Sequence, residues 1–317
     1  MDRRSFLEIM IATGLLGAGL PGCSSSQPLR MGLHPWIGYE SLYLAEEFGW
    51  LPQRVRLLHG ASATDSLQGL ADGQLDAAAL TLDEMLRARN GGLPLVAALI
   101  MDVSAGADVL MVHPAISRLP ELAGKRIAVE PSALGELMLQ RVLERAGLAA
   151  SGIQRVDLPV NRHLEAWQQG AIDASVCYEP VASLLAAAGG ERLFDSRQLP
   201  DTIFDVLAVN AERVANRSQD VTELIVAHFR GLDHLVRNPH DALYRVASRQ
   251  QVSVAVVRRS LAGIMLPDLA ANHRYLAGDS RIERAASQMI GLASDSDTSD
   301  AKVGEFYSAR WLPRRLP

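Results

Sequence analysis

The sequence contains an internal repeat: Arg30-Met31-Gly32-Leu33-His34-Pro35 recurs in kind as Arg126-Ile127-Ala128-Val129-Glu130-Pro131, 96 residues later. A second pair keeps almost the same spacing. Leu70-Ala71-Asp72-Gly73-Gln74-Leu75-Asp76-Ala77 resembles Trp167-Gln168-Gln169-Gly170-Ala171-Ile172-Asp173-Ala174, 97 residues later. The glycine in each of these stretches suits the left-handed residue that ends many helices. The constant spacing indicates two copies of one α/β unit.

Strand and helix signals alternate along both copies. Short apolar runs bounded by Pro, Gly or Asp predict strands over 29–34, 55–59, 77–81, 96–101, 109–113, 126–130, 174–178 and 206–210. Helical patterns lie between them, for example over 40–48 and 134–146. Such alternation indicates βαβ units with parallel sheets buried on both faces. From Val221 onward the pattern is mainly helical, and we expect this tail to wrap one lobe.

A further near-duplicate suggests how the two units are joined. Asp108-Val109-Leu110-Met111-Val112-His113 precedes the second copy, and Asp205-Val206-Leu207-Ala208-Val209-Asn210 follows it. We interpret these stretches as two neighbouring crossover strands that form a hinge. The first lobe then comprises 29–110 and 210–317, and the second comprises 113–205. Because ligands of open α/β sheets bind beyond the carboxyl ends of the strands, a cleft between the lobes is the expected site for a small molecule.

Composition and charge exclude several classes of protein. The 317-residue chain is 48% hydrophobic and 21% charged, which is typical of a globular protein with a large core. A net charge of −5 and the lack of a basic stripe argue against nucleic-acid binding. The two cysteines, Cys23 and Cys177, exclude a disulfide framework or a cysteine-rich zinc site. Neither a metal site nor a cofactor is predicted.

The N-terminal segment has the order of an export signal. It runs from Arg3-Arg4 through an apolar stretch over 9–20, shorter than the roughly 20 residues that span a bilayer, to Leu20-Pro21-Gly22-Cys23. The break resembles a lipoprotein signal box, which implies a lipid on Cys23, and the arginine pair resembles a twin-arginine signal. Residues 1–22 would then be removed, and 23–28 would tether the protein to the extracytoplasmic face of a membrane. The alternative is a buried or anchoring helix with an incidental cysteine.

Three motifs together resemble a known family. They are His34-Pro35-Trp36-Ile37-Gly38-Tyr39-Glu40, the Gly73…Asp76-Ala77 turn, and Tyr178-Glu179-Pro180. They are similar to motifs in the solute-binding proteins of the nitrate, sulfonate, taurine and thiamine-pyrimidine importers. The resemblance implies the type II periplasmic binding fold, a small-molecule solute without a cofactor, and delivery to the permease and ATPase subunits of an ABC importer. A monomer that binds no nucleic acid is expected.

Residues at the carboxyl ends of the first-lobe strands are candidates for the pocket. They are Trp36, Gly38, Tyr39, Thr81, Asp83 and Ser104. Trp36 and Tyr39 are placed to stack on a flat ligand, although Trp36 also suits the core. Gly38 allows the backbone to approach a ligand closely. Asp83 suits either the pocket or the N-cap of a helix over 84–89.

The remaining candidates are Ser132, Leu134, Gly135, Tyr178, Glu179 and, at the return to the first lobe, Asp205. Ser132 opens a helix whose free N–H groups and dipole suit an anion, although Ser132 also suits the cap of its own helix. Because a buried carboxylate needs a cation or a donor, Glu179 is predicted to select an amine or N–H group of the ligand. If Asp83, Asp102 or Asp205 also points inward, the pocket is acidic and disfavours nitrate or a dianion.

These residues leave two ligand classes open. A taurine-like sulfonate would place its anion at Ser132 and its ammonium at Glu179, whereas an aminopyrimidine would stack on Trp36 or Tyr39 and donate to Glu179. An enzyme on the same fold, of the quinone- or pyrimidine-precursor type, and a ligand-sensing accessory subunit are the alternatives. Against an enzyme, the histidines are dispersed, and Cys177 lies in an apolar strand where it suits the core.

Overall fold

The computed structural model describes residues 27–277, 280–293 and 306–316. The predicted signal peptide and the lipid site at Cys23 lie outside these residues. None of the helices in the described ranges has both the length and the apolar character that crossing a bilayer requires.

Eleven strands in the described ranges form two sheets. They are β1 (Leu29–Leu33), β2 (Val55–His59), β3 (Ala77–Thr81), β4 (Leu95–Ser104), β5 (Asp108–Val112), β6 (Arg126–Val129), β7 (Gln154–Asp157), β8 (Ala174–Tyr178), β9 (Glu191–Asp195), β10 (Phe204–Asn210) and β11 (Ile264–Met265). The strand orders are β2-β1-β3-β10-β4-β11 and β7-β6-β8-β5-β9. In each order the first three strands are parallel, and the fourth runs antiparallel to both of its neighbours. The two sheets therefore share one arrangement, as the internal repeat predicts.

Helices cover both sheets and complete the predicted α/β fold. They are α1 (Glu40–Glu47), α2 (Ala63–Ala71), α3 (Leu82–Asn90), α4 (Ala133–Ala146), α5 (His163–Gln168), α6 (Val181–Ala187), α7 (Ser218–Arg237), α8 (Pro239–Gln250), α9 (Val254–Leu261), α10 (Leu269–Leu276) and α11 (Ser280–Ala293). We use "first lobe" for the first sheet with α1–α3 and α7–α11, and "second lobe" for the second sheet with α4–α6. The C-terminal helices pack on the first lobe, where α7 lies against α1 and α10 against β4.

The repeated sequence motifs form the same contact in each lobe. The Arg30 backbone N–H and guanidinium donate to the Asp76 carboxylate at 3.0 and 2.9 Å. The Arg126 backbone N–H and guanidinium donate to Asp173 at 2.9 and 2.7 Å. The glycine three residues before each aspartate has a positive φ, 70° and 64°, as predicted for a helix C-cap. Each pair therefore joins the start of one parallel strand to the turn before the next.

The two near-duplicate strands are not neighbours. β5 pairs with β8 and β9 in the second sheet, whereas β10 pairs with β3 and β4 in the first. The prediction of two adjacent hinge strands is therefore wrong. Each strand instead fills the fourth place of its own sheet, which explains why their sequences are alike. The chain crosses between the sheets at residues 105–107 and 196–203, and where the lobes end as moving units stays a prediction.

Candidate functional site

A cavity lies between the lobes, and the space within it that protein atoms do not fill, part of it open to solvent, is about 390 Å³. The lining residues are His34, Trp36, Tyr39, Ala63, Thr81, Glu84 and Asp205 from the first lobe, and Asp108, Glu130, Ser132, Leu134 and Tyr178 from the second. The parallel strands contribute their carboxyl ends. Because β5 and β10 run antiparallel to them, Asp108, the first residue of β5, and Asp205, the second residue of β10, lie at the same edges.

The structure brings together most of the predicted pocket residues. Those that line the cavity are Trp36, Tyr39, Thr81, Ser132, Leu134, Tyr178 and Asp205. Gly135 lies on an adjoining cavity of about 240 Å³, which shares Asp108 and Ser132 with the first. Their role as ligand contacts stays a prediction, but the structure places these residues at one site.

Glu179 does not reach the cavity, and its prediction as the residue that selects an amine is corrected. Its Oε2 accepts a hydrogen bond from the Ser183 N–H at 3.0 Å, and its Oε1 accepts one from Arg192 Nη2 at 3.2 Å. The side chain is 1% exposed. Because Arg192 already balances its charge inside the second lobe, this carboxylate is not available to a ligand.

Three other residues that were predicted to contact the ligand have roles within the fold instead. A Cβ on Gly38 would lie 1.7 Å from Asp102 Oδ2, so this glycine makes room for a buried carboxyl group. The Ser104 hydroxyl is 2.7 Å from the Ser196 hydroxyl, and this contact joins the end of β4 to the second crossing segment. Asp83 is buried in the first turn of α3 and does not line the cavity.

A capping box at the start of α3 brings an unpredicted residue, Glu84, to the cavity. The helix begins at Leu82 and its N-cap is Thr81, so the predicted helix over 84–89 with Asp83 as its cap is wrong. Thr81 Oγ1 accepts from the Glu84 N–H at 3.4 Å, and Glu84 Oε2 accepts from the Thr81 N–H at 2.9 Å. The Thr-x-x-Glu spacing is the sequence signal that would have found this arrangement.

Aromatic side chains form the wall of the cavity on both sides. Trp36 Nε1 donates to Asp102 Oδ2 at 3.1 Å, and its ring meets the Tyr178 ring edge-on at 5.5 Å across the cleft. The Tyr39 hydroxyl donates to Asp205 Oδ1 at 2.5 Å. The tryptophan and the two tyrosines therefore present ring surface to a ligand while their polar atoms on the first-lobe side are held by aspartates.

Four carboxyl groups line the cavity, those of Glu84, Asp108, Glu130 and Asp205. The lining residues in the described part of the chain include neither lysine nor arginine. Burial raises the pKa of Glu84 to about 8 and that of Asp108 to about 7. Burial and the neighbouring Asp102 carboxyl raise the pKa of Asp205 well above its usual value, and burial also raises that of Glu130. The site is acidic, and each charge on it is costly without a cation.

Two buried polar atoms at the cavity have no hydrogen-bond partner among the described residues. They are Asp108 Oδ2 and His34 Nδ1, whose side chains are 2% and 8% exposed. Burial lowers the pKa of His34 to about 4, so its ring is neutral at physiological pH. Native proteins satisfy nearly all buried polar groups, and a water, an ion or a ligand can supply the partner of such an atom.

The N-terminus of α4 is arranged for its own helix. Ser132 Oγ accepts from the Gly135 N–H at 3.1 Å, so Ser132 is the N-cap. A Cβ on Gly135 would lie 2.2 Å from the Glu130 carbonyl oxygen, which explains this glycine by close helix–strand packing. An anion bound here would face the Glu84 and Glu130 carboxyl groups across the same cavity.

The comparison with protein families is decisive for the class of protein. A family model described as NMT1/THI5 like matches residues 38–242, more than half of the chain. The chain belongs to the NMT1/THI5-like family. This result confirms the resemblance that the motifs around Trp36, Gly73 and Tyr178 predict.

Two curated relatives of this NMT1/THI5-like protein are described as binding proteins, one for aliphatic sulfonates and one for taurine. An aliphatic sulfonates-binding protein of Escherichia coli (strain K12) is 24% identical over 326 residues, 99% of this chain and 94% of the relative. The taurine-binding periplasmic protein of the same organism is 27% identical over 138 residues, 44% of this chain and 43% of the relative. The homology supports a solute-binding role in an ABC importer and a place outside the cytoplasm.

Solved structures show that the NMT1/THI5-like chain has the fold of such proteins. The periplasmic aliphatic sulphonate binding protein of Escherichia coli superposes with a TM-score of 0.71 at 19% identity, over 85% of this chain and 87% of that one. A desulfurization enzyme also matches, with a TM-score of 0.61 at 18% identity, over 83% and 92% of the two chains. At these identities the structures establish the fold and not the ligand.

Proposed function

We propose that this protein is the solute-binding subunit of an ABC importer and that its solute carries an amine, as an ammonium group or as N–H donors. The relatives give the class of function. The chemistry of the solute rests on one observation, the carboxyl groups of Glu84, Asp108, Glu130 and Asp205 around a cavity with no described lysine or arginine on its wall.

Electrostatic magnitudes favour an amine over a pure anion. Two unit charges about 4 Å apart interact by about 4 kcal/mol at the effective dielectric constant of a protein surface. Asp108, with a pKa of about 7, is partly ionised at neutral pH, and beside that carboxylate a sulfonate is disfavoured by this amount and an ammonium is favoured by it. The α4 N-terminus would return at most about 2 kcal/mol to an anion. Of the two ligand classes, the amine-bearing one fits better, and a taurine-like solute fits through its ammonium.

The aromatic wall supports the same choice. Trp36, Tyr39 and Tyr178 line the cavity together with the acidic groups. Aromatic faces attract cations and stack on flat rings. A solute whose ring carries an amine can therefore contact both the aromatic side chains and the carboxyl groups of the cavity. A purely aliphatic anion would use neither the ring faces nor the carboxyl groups.

We propose binding without chemical change of the solute. Burial raises the pKa of the Cys177 thiol to about 12, and Cys177 packs among core residues. The Ser132 hydroxyl is engaged as a helix cap. The described residues of the cavity therefore offer no activated nucleophile of the kind that covalent catalysis uses.

We also propose that the protein is anchored by a lipid on Cys23. The Leu20-Pro21-Gly22-Cys23 motif supports this proposal, as does the short distance in sequence between Cys23 and Leu29, where β1 begins. The Gln27 carbonyl accepts a hydrogen bond from Arg217 Nη2 at 2.8 Å, so the tether leaves the first lobe at a fixed point. Cys23→Ala should move the protein from the membrane to the soluble fraction, and Ser24→Ala should not. A Cys23→Ala variant that stays in the membrane would refute the anchor.

A thermal-shift screen of matched compounds tests the class of solute. The panel consists of two amines with their hydroxyl partners, benzylamine with benzyl alcohol and taurine with isethionate, together with 4-aminopyrimidine and phenylmethanesulfonate. A ligand at about 100 times its dissociation constant stabilises by about 2.7 kcal/mol. We expect stabilisation by an amine and none by its hydroxyl partner, with the amine recovered unchanged. Stabilisation by isethionate or phenylmethanesulfonate alone would contradict the proposal.

A further inference from the structure

The duplication places two equivalent aspartates on opposite sides of the cavity. Asp108 begins β5 and pairs in register with Tyr178, the last residue of β8. Asp205 lies near the start of β10 and pairs in register with Thr81, the last residue of β3. Both therefore occupy the same position of the repeated sheet, and both line the cavity.

The partners of these two aspartates differ. Asp205 Oδ1 accepts a hydrogen bond from the Tyr39 hydroxyl at 2.5 Å. Asp108 Oδ2 has no partner among the described residues although the side chain is 2% exposed. An unsatisfied buried acceptor costs about 1–3 kcal/mol, and more when it is charged. One carboxylate oxygen of Asp108 therefore lacks a hydrogen-bond partner, whereas the counterpart Asp205 is bonded to a tyrosine.

The groups around Asp108 do not supply a counter-ion. Its pKa is raised first by burial and then by the Asp83 carboxyl, and it is lowered by a hydrogen bond from Ser104. Asp102 and Asp205 interact with it as further acidic groups. On the neighbouring strand β8, burial raises the pKa of the Tyr178 hydroxyl well above its usual value, and this group supplies no positive charge.

A basic side chain near this part of the second sheet is already engaged. Arg192 donates to the Gly106 carbonyl at 2.6 Å and to Glu179 at 3.2 Å, and it lies 3.8 Å from Asp195. Asp108, which lines the cavity, therefore has no counter-ion among these groups.

We infer that Asp108 is the specificity-determining residue that accepts the ammonium or N–H group of the solute, while Asp205 positions Tyr39 on the opposite wall. The inference rests on the proposed function and names the residue that carries it out. His34, whose Nδ1 is also unpartnered, lies on the first-lobe side of the same cavity, where it can accept a second N–H group of the solute.

The position of Asp108 also links binding to the contact between lobes. It directly follows the first crossing segment, residues 105–107, and belongs to the second sheet. An amine held by Asp108 and stacked on Trp36 contacts both lobes at once. Such contacts, made only when the lobes are together, supply the differential affinity that closure requires.

The test compares Asp108→Asn with Asp157→Asn, the same change at an exposed position of the second sheet. The probe is the panel amine that stabilises the wild-type protein most, titrated by calorimetry. We expect Asp108→Asn to weaken binding by about 30-fold or more, as removal of one partner of a buried charged pair does. Asp157→Asn should leave the affinity within about twofold. An amine that binds Asp108→Asn as tightly as wild type would overturn the inference and leave the proposed function intact.

A second readout needs no ligand. At about pH 5 the wild-type Asp108 is protonated and resembles asparagine, whereas at about pH 8.5 it is an unpaired buried carboxylate. The denaturation midpoint of Asp108→Asn should therefore rise relative to wild type as the pH increases over this interval. A midpoint below wild type at the higher pH would show that the carboxylate has a partner in the fold, and would also overturn the inference. If no panel amine binds, the proposed function fails, and the sign of this shift still decides whether Asp108 is uncompensated.

Discussion

In the first lobe, Asp76 accepts hydrogen bonds from Arg30, Arg213 and Arg217, whereas its counterpart in the second lobe, Asp173, pairs with Arg126. The additional arginines come from the chain after β10, which returns to the first lobe. The Arg–Asp pair is therefore present in both lobes, whereas the groups around it differ between them. The same contrast separates the cavity aspartates, because one is bonded to a tyrosine and the other is not. Function is to be sought where the two copies differ.

The largest expected difference between the lobes concerns the Arg–Asp pairs. Asp76→Asn should lower the free energy of unfolding by about 3 kcal/mol, because it removes a buried charge that several arginines share. Asp173→Asn should cost about 1 kcal/mol, since that pair is partly exposed. Urea denaturation of both variants measures the two values. Equal losses would show that the additional arginines contribute nothing.

A smaller effect is expected on the aromatic wall. Tyr39→Phe removes the hydroxyl that donates to Asp205 and should cost about 2 kcal/mol, because it leaves a buried carboxyl group without this donor. Tyr178→Phe, on the opposite wall, is the matched control and should change the free energy of unfolding by less than about 0.5 kcal/mol. If both changes cost the same, the bond between Tyr39 and Asp205 is not a distinguishing feature of the first lobe.

The pH dependence of stability compares the lobes through Glu84 and Asp108. Burial raises the pKa of both, so the folded state holds protons that the unfolded state has lost, and stability falls as the pH rises. Buried neutral His34 works in the opposite direction, but its effect is complete above about pH 6.5.

Between about pH 6.5 and 8.5 we therefore expect these two groups to lower the free energy of unfolding by about 3 kcal/mol, measured by denaturant titration of the protein without solute. Glu84→Gln should flatten this fall more than Asp108→Asn, because the pKa of Glu84 is higher. Stability that rises over this interval would contradict the acidic character of the cavity.

The smallest expected difference is between two helix caps. Thr81 belongs to a reciprocal capping box, whereas Ser132 accepts a single bond from Gly135. Thr81→Ala should cost about 1.5 kcal/mol and Ser132→Ala about 0.5 kcal/mol. Thermal denaturation resolves the two, and a larger loss at Ser132 would mean that the α4 N-terminus has a role beyond its own helix.

The sequence predicts the strands that contain a clear apolar run. β3 and β8 have the predicted bounds because a buried parallel strand reads as a continuous apolar run. The edge strand β2 also has the predicted bounds, since Val55, Leu57 and Leu58 mark it although Arg56 and His59 are exposed. β7 was not predicted, since most of its residues are exposed and its sequence, Gln154-Arg155-Val156-Asp157, has no apolar run. Strand pairing depends on contacts between residues distant in sequence. The local hydrophobic pattern therefore does not predict that β5 and β10 lie in different sheets.

The candidate site was predictable by position and not by chemistry. Strand ends indicate Trp36, Tyr39 and Tyr178, which line the cavity. The partner of a carboxylate cannot be read from its neighbours in sequence: Glu179 is paired with Arg192, which comes from another strand. For the same reason the sequence did not single out Asp108 as the acid without a partner.

The proposed function depends on the sign of charge that the cavity prefers. Benzylamine and phenylmethanesulfonate share a ring and a methylene group and carry opposite charges. We would measure the thermal midpoint of the purified protein with each compound, at equal concentration and at about pH 7.5, where both are ionised. We predict that benzylamine raises the midpoint and that phenylmethanesulfonate leaves it unchanged. A larger rise with the sulfonate would contradict an amine-selective cavity.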